Sequence, residues 1–230
     1  LSLHDALPIF FKDSSENLWI GTWNGLYCIS VDKSIRYFTK CVGGSEQGLS
    51  DVQVRCVLED NARRLWIGTF LGLDCFDPLA NKWTHYNHSG DSPNSLSHIS
   101  VLSLYKDTQG NIWAGTYYGG ANIFNPDENG SHFYHAEPLR EGSLSYPIVG
   151  KMTEDGEGNL WICTEGGGLN RFNRATGHFY RYTHRDDAGN TIGSDNIKSI
   201  YYRKENNTLY LGTHLGGLSI LDLNSNKIHT

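Results

Sequence analysis

The sequence predicts an all-β repeat protein built from four-stranded antiparallel units, and three observations lead there. One phrase is stated five times: Asn17-Leu18-Trp19-Ile20-Gly21-Thr22, Arg64-Leu65-Trp66-Ile67-Gly68-Thr69, Asn111-Ile112-Trp113-Ala114-Gly115-Thr116, Asn159-Leu160-Trp161-Ile162-Cys163-Thr164 and Thr208-Leu209-Tyr210-Leu211-Gly212-Thr213. Its aromatic residues, Trp19, Trp66, Trp113, Trp161 and Tyr210, lie 47, 47, 48 and 49 positions apart, the period of a repeat array. Short runs of β-branched and aromatic residues bounded by Gly, Asn, Asp and Pro are strand signals, and no segment sustains a helical period. The 26 Gly, 13 Tyr, 9 Phe and 6 Trp of the 230 residues suit a turn-rich β protein.

Leu1 to Ile9 (LSLHDALPI) matches no other repeat and reads as a non-native piece or a frayed strand. It lacks the basic start and long apolar core of a secretion signal. From Phe10 onward, Phe10-Phe11-Lys12-Asp13 fits the phrase Leu104-Tyr105-Lys106-Asp107. The repeats then occupy about 10–40, 51–87, 98–135, 146–183 and 195–230. In the second, strands are expected at Val52 to Leu58, Arg64 to Thr69, Leu73 to Asp77 and Lys82 to Tyr86. An Asp precedes the Trp by six residues at 13, 60, 107 and 155, placed to accept from backbone amides and fix a hairpin turn. The third residue before the aromatic is Gly110, Gly158 or Asn207, which reach positive φ cheaply. Glu16 and Arg63 break that rule, so their hairpins should carry strain or a different loop.

Gly21, Gly68, Gly115 and Gly212 sit inside strands, which implies close approach of a neighbour, expected to be the aromatic ring of an adjacent copy. Cys163 is the exception. Polar linkers run from Cys41 to Ser50, Asn87 to Ser97, His135 to Ser145 and Thr183 to Ser194, each ending in a Ser sixteen residues before the next aromatic. Four-stranded units of this length, each with two apolar faces to cover, are the blades of a β-propeller. The repeated aromatic fills the joint between blades, where full burial contributes about 2–3 kcal/mol. About five blades are present. Both ends fall inside a repeat, so the chain reads as a fragment of a larger ring.

The charge balance, 25 Asp+Glu against 19 Lys+Arg, disfavours binding to nucleic acid through phosphates. There is no apolar run of membrane-spanning length. Cys28, Cys41, Cys56, Cys75 and Cys163 form no CxxC pair and read as unpaired thiols. Cys28 and Cys75 fall nine residues after their Trp, where later copies carry Asn122, Asn170 and Ser219, as small fillers.

The fourth repeat, with Glu154-Asp155-Gly156-Glu157-Gly158-Asn159-Leu160-Trp161-Ile162, Thr164, Gly166-Gly167-Gly168-Leu169, Phe172-Asn173 and Gly177-His178-Phe179-Tyr180-Arg181-Tyr182, resembles the two-component regulator propeller repeat. The resemblance covers residues 10 to 230. It implies seven-bladed, usually paired propellers in the periplasmic sensor region of a hybrid two-component histidine kinase of the Bacteroidetes type. Such regions precede a β-sandwich and a membrane span, often respond to oligosaccharides, and are expected to act as homodimers. This stretch contains no phospho-accepting His box, no ATP lid and no receiver domain.

Neither the histidines nor Gly166-Gly167-Gly168 follow a metal or phosphate pattern: His88, His184 and His135 trail the fourth-strand tyrosines on separate blades, and no Lys-Ser/Thr follows the glycines. No cofactor or metal is expected, and no nucleophile elbow selects a triad. The informative positions change within the fixed frame. Directly after the shared Thr come Trp23, Phe70, Tyr117, Glu165 and His214, with Tyr118 next in the third copy. Leading into the first strands are Asp51, His98, Tyr146 and Asp195. Aromatics with a few polar groups on one face suit stacking on sugar rings. Two functions are open. One is a non-catalytic sensor or protein-interaction propeller; the other is a propeller enzyme such as a lyase or glycosidase, for which the sequence offers Glu165 and His214 as acid–base groups.

Overall fold

The computed structural model describes residues 8–42, 47–90, 95–128, 131–137, 139–185 and 189–230. The expectation for Leu1 to Ile9 lies outside the described residues as far as position 7, and Ile9 itself opens the first strand. Twenty strands form five four-stranded sheets. They are β1 Ile9–Lys12, β2 Leu18–Thr22, β3 Gly25–Ile29 and β4 Ile35–Phe38; β5 Val54–Glu59, β6 Leu65–Thr69, β7 Gly72–Asp77 and β8 Lys82–Tyr86; β9 Val101–Lys106, β10 Ile112–Thr116, β11 Ala121–Phe124 and β12 Ser131–Tyr134; β13 Val149–Glu154, β14 Leu160–Thr164, β15 Leu169–Asn173 and β16 His178–Tyr182; and β17 Ile197–Arg203, β18 Thr208–Thr213, β19 Gly217–Asp222 and β20 Lys227–His229. In each sheet the strands neighbour one another in chain order. This is the β-propeller blade that the period predicts. A single 3-10 turn, Lys204–Asn206, interrupts the β pattern among the described residues.

The chain divides into two compact units. The first runs to Lys106 and adds 110–114 and 123–131; the second holds 107–109, 115–122 and 132–230. In the first, Trp19 is buried with Val54, Leu65, Ile67, Phe76 and Trp83 of the second blade. Trp66 is buried with Val101, Ile112 and Ala114 of the third. In the second unit, Trp161 packs on Ile197, Leu209, Leu211 and Leu221 of the fifth blade.

The Asp that precedes each Trp does more than fix a turn. Asp60 accepts from the amides of Ala62 and Arg64 at 2.9 Å each, and its second oxygen accepts the indole N–H of Trp66 at 2.9 Å. Asp13 and Asp155 hold Trp19 and Trp161 in the same way at 2.8 Å. Burial pushes the Asp13 carboxyl up, but bonds from Trp19, Asn17 and Ser15 outweigh it and its pKa lies below the usual value. The fifth blade replaces both members together, with Lys204 for the Asp and Tyr210 for the Trp, and Tyr210 is only half-buried.

Glu16 and Arg63 sit at φ 68° and 62°, where the third and fourth copies have Gly110 at 87° and Gly158 at 80°. The loop is kept and the strain is borne, at about 1–2 kcal/mol for a non-Gly residue.

Two expectations are corrected. What crowds the strand glycines is aliphatic or small, not aromatic. A Cβ on Gly21 would come 2.6 Å from Val54 Cγ1; one on Gly68 would lie 2.4 Å from Cys56 Sγ and 2.8 Å from Val101 Cγ1. Cys163 fits because the opposing strand supplies Gly150, whose Cβ would sit 4.0 Å from that of Cys163. The small residue has changed sides. The alignment of Cys28 and Cys75 with Asn122, Asn170 and Ser219 is off by one. The turn after the Thr has one residue fewer in the first two blades, so Cys28 and Cys75 pair with Trp19 and Trp66, as Arg171 pairs with Trp161. The partner of Ile162 is Asn170, and its counterpart beside Ile67 is Asp74.

Candidate functional site on the turn face

The shared Thr builds the turn between second and third strands in every blade. Its hydroxyl donates to the carbonyl of Gly25, Gly72, Gly120, Gly168 or Gly217 at 2.8–3.1 Å. In four blades it also accepts a turn amide: those of Asn24, Leu71, Gly119 and Gly167. A constant bracket therefore presents variable residues.

These turns are bonded to the segments that lead into first strands, on the same face, as the spacing implied. In the first unit, Gly25 N donates to Val52 O at 2.8 Å and Phe70 N to Gln53 O at 3.3 Å. In the second, Gly120 N donates to Pro147 O, Glu165 N to Ile148 O and His214 N to Asn196 O, at 2.9, 3.1 and 2.8 Å. Gly166 N and Gly168 N both donate to Asp195 O.

The predicted residues separate by role. In the first unit, Trp23 is 38% exposed, while Phe70 is half-buried beneath the Arg55 guanidinium, 4.3 Å from its ring centroid. Arg55 also donates to Ser100 Oγ at 3.0 Å. Asp51 Oδ1 accepts from Gln53 N at 2.9 Å, and His98 Nδ1 from Ser100 N at 3.1 Å, so both shape their own lead-in segment. Burial holds the His98 imidazole below its usual pKa, with His88 adding to the effect.

In the second unit, Tyr117 and Tyr118 meet edge to face with centroids 4.6 Å apart and are 39% and 56% exposed. Tyr118 stands at φ 80°, in the place where the fourth blade has Gly166 at 135°. Glu165 is engaged by Lys198 Nζ at 2.7 Å, and His214 is exposed. Tyr146 lies over the next turn, where a Cβ on Gly166 would come 2.9 Å from Tyr146 Cζ. The glycine run is the space for that ring. Asp195 is a brace: besides its carbonyl bonds, its Oδ1 accepts from His184 N at 2.6 Å.

Sequence reasoning missed Arg55 and Lys198, each the second residue of its blade's first strand, at a register shift that strand periodicity does not reveal. It also left the linker serines without a role, although their fixed distance from the aromatic was the signal. Ser50 N donates to Asp74 Oδ2 at 2.8 Å and Ser50 Oγ to Asp74 Oδ1 at 2.5 Å. Ser145 N donates to Asn170 Oδ1 at 3.0 Å, and Asn170 Nδ2 returns a bond to Ser145 Oγ at 2.8 Å. Ser50 and Ser145 are latches that seat the linker on the third strand. The repeated histidines act similarly: the ring Nδ1 of His88 lies 2.6 Å from Leu96 O, and that of His184 lies 2.7 Å from Ile192 O. At the edge of the fourth blade, Glu141, Gly142, His178, Phe179, Tyr180 and Arg181 line a shallow pocket of about 340 Å³. There Arg181 is committed to the carbonyls of Glu137, Arg140 and Ser143.

Two stretches, residues 48–70 and 95–118, match the model of the two component regulator propeller. Those two stretches are two-component regulator propeller repeats. The chain is similar, at 25% identity and a TM-score of 0.74, to the extracellular domain of a hybrid two component system from B. thetaiotaomicron, over 95% of this chain and 27% of that one. A second extracellular domain from B. thetaiotaomicron shares the fold at 21% identity and a TM-score of 0.73, over 96% of this chain and 30% of that one. The chain thus spans little more than a quarter of the length of these relatives. Virginiamycin B lyase from Staphylococcus aureus shares the fold at 14% identity and a TM-score of 0.69, over 98% of this chain and 69% of that one. No curated protein sequence matches. Among the described residues, no helix is long and apolar enough to cross a membrane.

Proposed function

We propose that these repeats belong to a non-catalytic, periplasmic sensor propeller that binds an oligosaccharide on its turn face and thereby regulates a histidine kinase carried elsewhere in the same signalling protein. The observation that carries this reading is Tyr118. A bulky residue at φ 80°, more than half exposed, sits where a sister blade uses Gly. Strain of that kind persists where the surroundings enforce it, and an exposed aromatic in such a place is a site for contact rather than packing. Tyr117, set edge-on beside it, adds a flat surface of the kind that stacks on pyranose rings. The likeness to an extracellular domain of a hybrid two component system supports the sensor role. A sensor of this design works with the remainder of its signalling chain, as a homodimer.

Catalysis would need acid and base groups converging on one reacting atom. Glu165 is instead neutralised by Lys198. Ser50, Asp74 and His85 do meet, but one ring nitrogen, His85 Nδ1, faces both the carboxylate and the hydroxyl, and Ser50 Oγ donates to Asp74, so the Asp does not orient one nitrogen while the other serves the hydroxyl, as a triad requires. Calorimetric titration with a panel of plant and host oligosaccharides should give saturable binding to at least one, recovered chemically unchanged. Tyr117→Ala combined with Tyr118→Ala should weaken that binding at least tenfold. Turnover of the glycan contradicts the non-catalytic reading, and undiminished binding by the double variant removes the site.

A further inference from the structure

The latch position separates one blade from the others in charge. The fourth blade closes it with neutral Asn170 on Ser145, and in the fifth Ser219 Oγ accepts from Gly193 N at 2.9 Å. In the second blade the same position is Asp74, whose carboxylate is fully buried. Beside it, on the adjacent strand, is His85, paired directly across the sheet. His85 Nδ1 lies 2.7 Å from Asp74 Oδ1, the oxygen that also accepts Ser50 Oγ. Ser50 Oγ and His85 Nδ1 are 3.2 Å apart.

We propose that Asp74 and His85 form a protonation-dependent clamp on the lead-in segment of the second blade. A buried carboxylate needs a counter-charge, and the imidazolium is the group in direct contact that can supply it. With His85 charged, Asp74 is neutralised and holds Ser50 by both amide and hydroxyl. Once His85 loses its proton, the buried carboxylate keeps only neutral donors and the clamp weakens. Ser50 is followed by Asp51, Val52 and Gln53, and the carbonyls of Val52 and Gln53 anchor the turns of Trp23 and Phe70. Protonation at the latch is thereby coupled to the placement of those aromatics.

Other charged and titratable groups lie on the elements around the pair, Asp51 of the lead-in segment among them. On the first-blade sheet packed against it, Arg36 stacks over Trp19 and Phe38 at 5.9 Å each and reaches Cys28 Sγ. Cys75, next to Asp74 on β7, points to the opposite face with Arg64 and Asp60 around it, and burial raises its pKa to about 12. The linker contributes Ser50, and the adjoining strand contributes His85 itself. The sign follows: a His holding its proton more tightly in the folded state adds stability below pH ~6.5, and this is lost as pH rises through the folded-state midpoint.

The test is a side-chain NMR titration of the histidines in the intact chain, with the Ser50 amide as a second reporter. His85 should stay protonated above the ~6.5 midpoint of a free imidazole, and the Ser50 amide should follow the same curve. In Asp74→Asn, which installs the residue of the fourth-blade latch, the His85 midpoint should fall by at least one unit, a tenfold loss of proton affinity. A wild-type midpoint at or below that of a free imidazole, or one unmoved by Asp74→Asn, overturns the clamp. Should Asp74→Asn fail to fold, His85→Gln decides: the pH dependence of the Ser50 amide must vanish with it, and its persistence contradicts the proposal.

Discussion

Trp66→Ala should destabilise the protein by about 3–5 kcal/mol, the range for removing a fully buried Trp. The indole is 1% exposed and lies among the rings of Tyr86 and Phe124, at 5.4 and 5.0 Å between centroids, so neighbours fixed in two sheets cannot collapse into the void. Its N–H is one of four donors on the Asp60 carboxylate, the others being two amides and Arg64 Nε at 2.6 Å. Trp66→Phe keeps most of the apolar area and loses the donor, and should cost about 1–2 kcal/mol less than the alanine variant. Denaturant midpoints with unchanged m-values check both. In the fifth blade the Asp and Trp positions are replaced together, by Lys204 and Tyr210.

Arg174→Ala should cost about 3–5 kcal/mol at neutral pH, because it strands two buried carboxylates. Arg174 donates to Asp107 Oδ2 at 2.8 Å and to Glu154 Oε1, and the two acidic side chains are 0% and 5% exposed. Glu154 also accepts the amide of Thr108 at 2.8 Å, much as Glu59 accepts that of Ser14 at 2.7 Å. The Arg thus supports a contact that recurs in the array. Arg174→Lys should recover only part of the loss, since a single ammonium nitrogen does not span the three acceptors that Arg174 reaches from three separate nitrogens. Thermal melts at neutral pH measure both.

Much of the fold was legible because its determinants are local and repeat. Aromatic spacing set the blades, Asp and Gly set the hairpins, and Lys82 to Tyr86 is the fourth strand of its blade with both ends as expected. What stayed hidden depends on pairing across strands. The bond from indole to Asp60 is invisible until the hairpin brings a residue six positions earlier under the ring. The misalignment of Cys28 and Cys75 came from counting along the chain, where a turn one residue shorter shifts every later partner. Asp74 looked like an ordinary strand residue until Ser50 and His85 converged on it. At the turns between second and third strands the sequence located the variable positions, which follow the shared Thr. It could not tell that Asp51, His98 and Asp195 brace their own backbone while Trp23, Tyr117 and Tyr118 face outward.

The central claim is that the constant half of each repeat holds the fold and the changing half meets the ligand. Tyr118→Gly tests it most directly, because strain and contact then predict opposite outcomes. Releasing a side chain from φ 80° should raise stability by about 1 kcal/mol. Removing the ring should weaken oligosaccharide binding at least tenfold. A variant that melts higher and binds more weakly is the predicted result. A variant that melts lower while binding the glycan as tightly as before would make Tyr118 a packing residue and contradict the account.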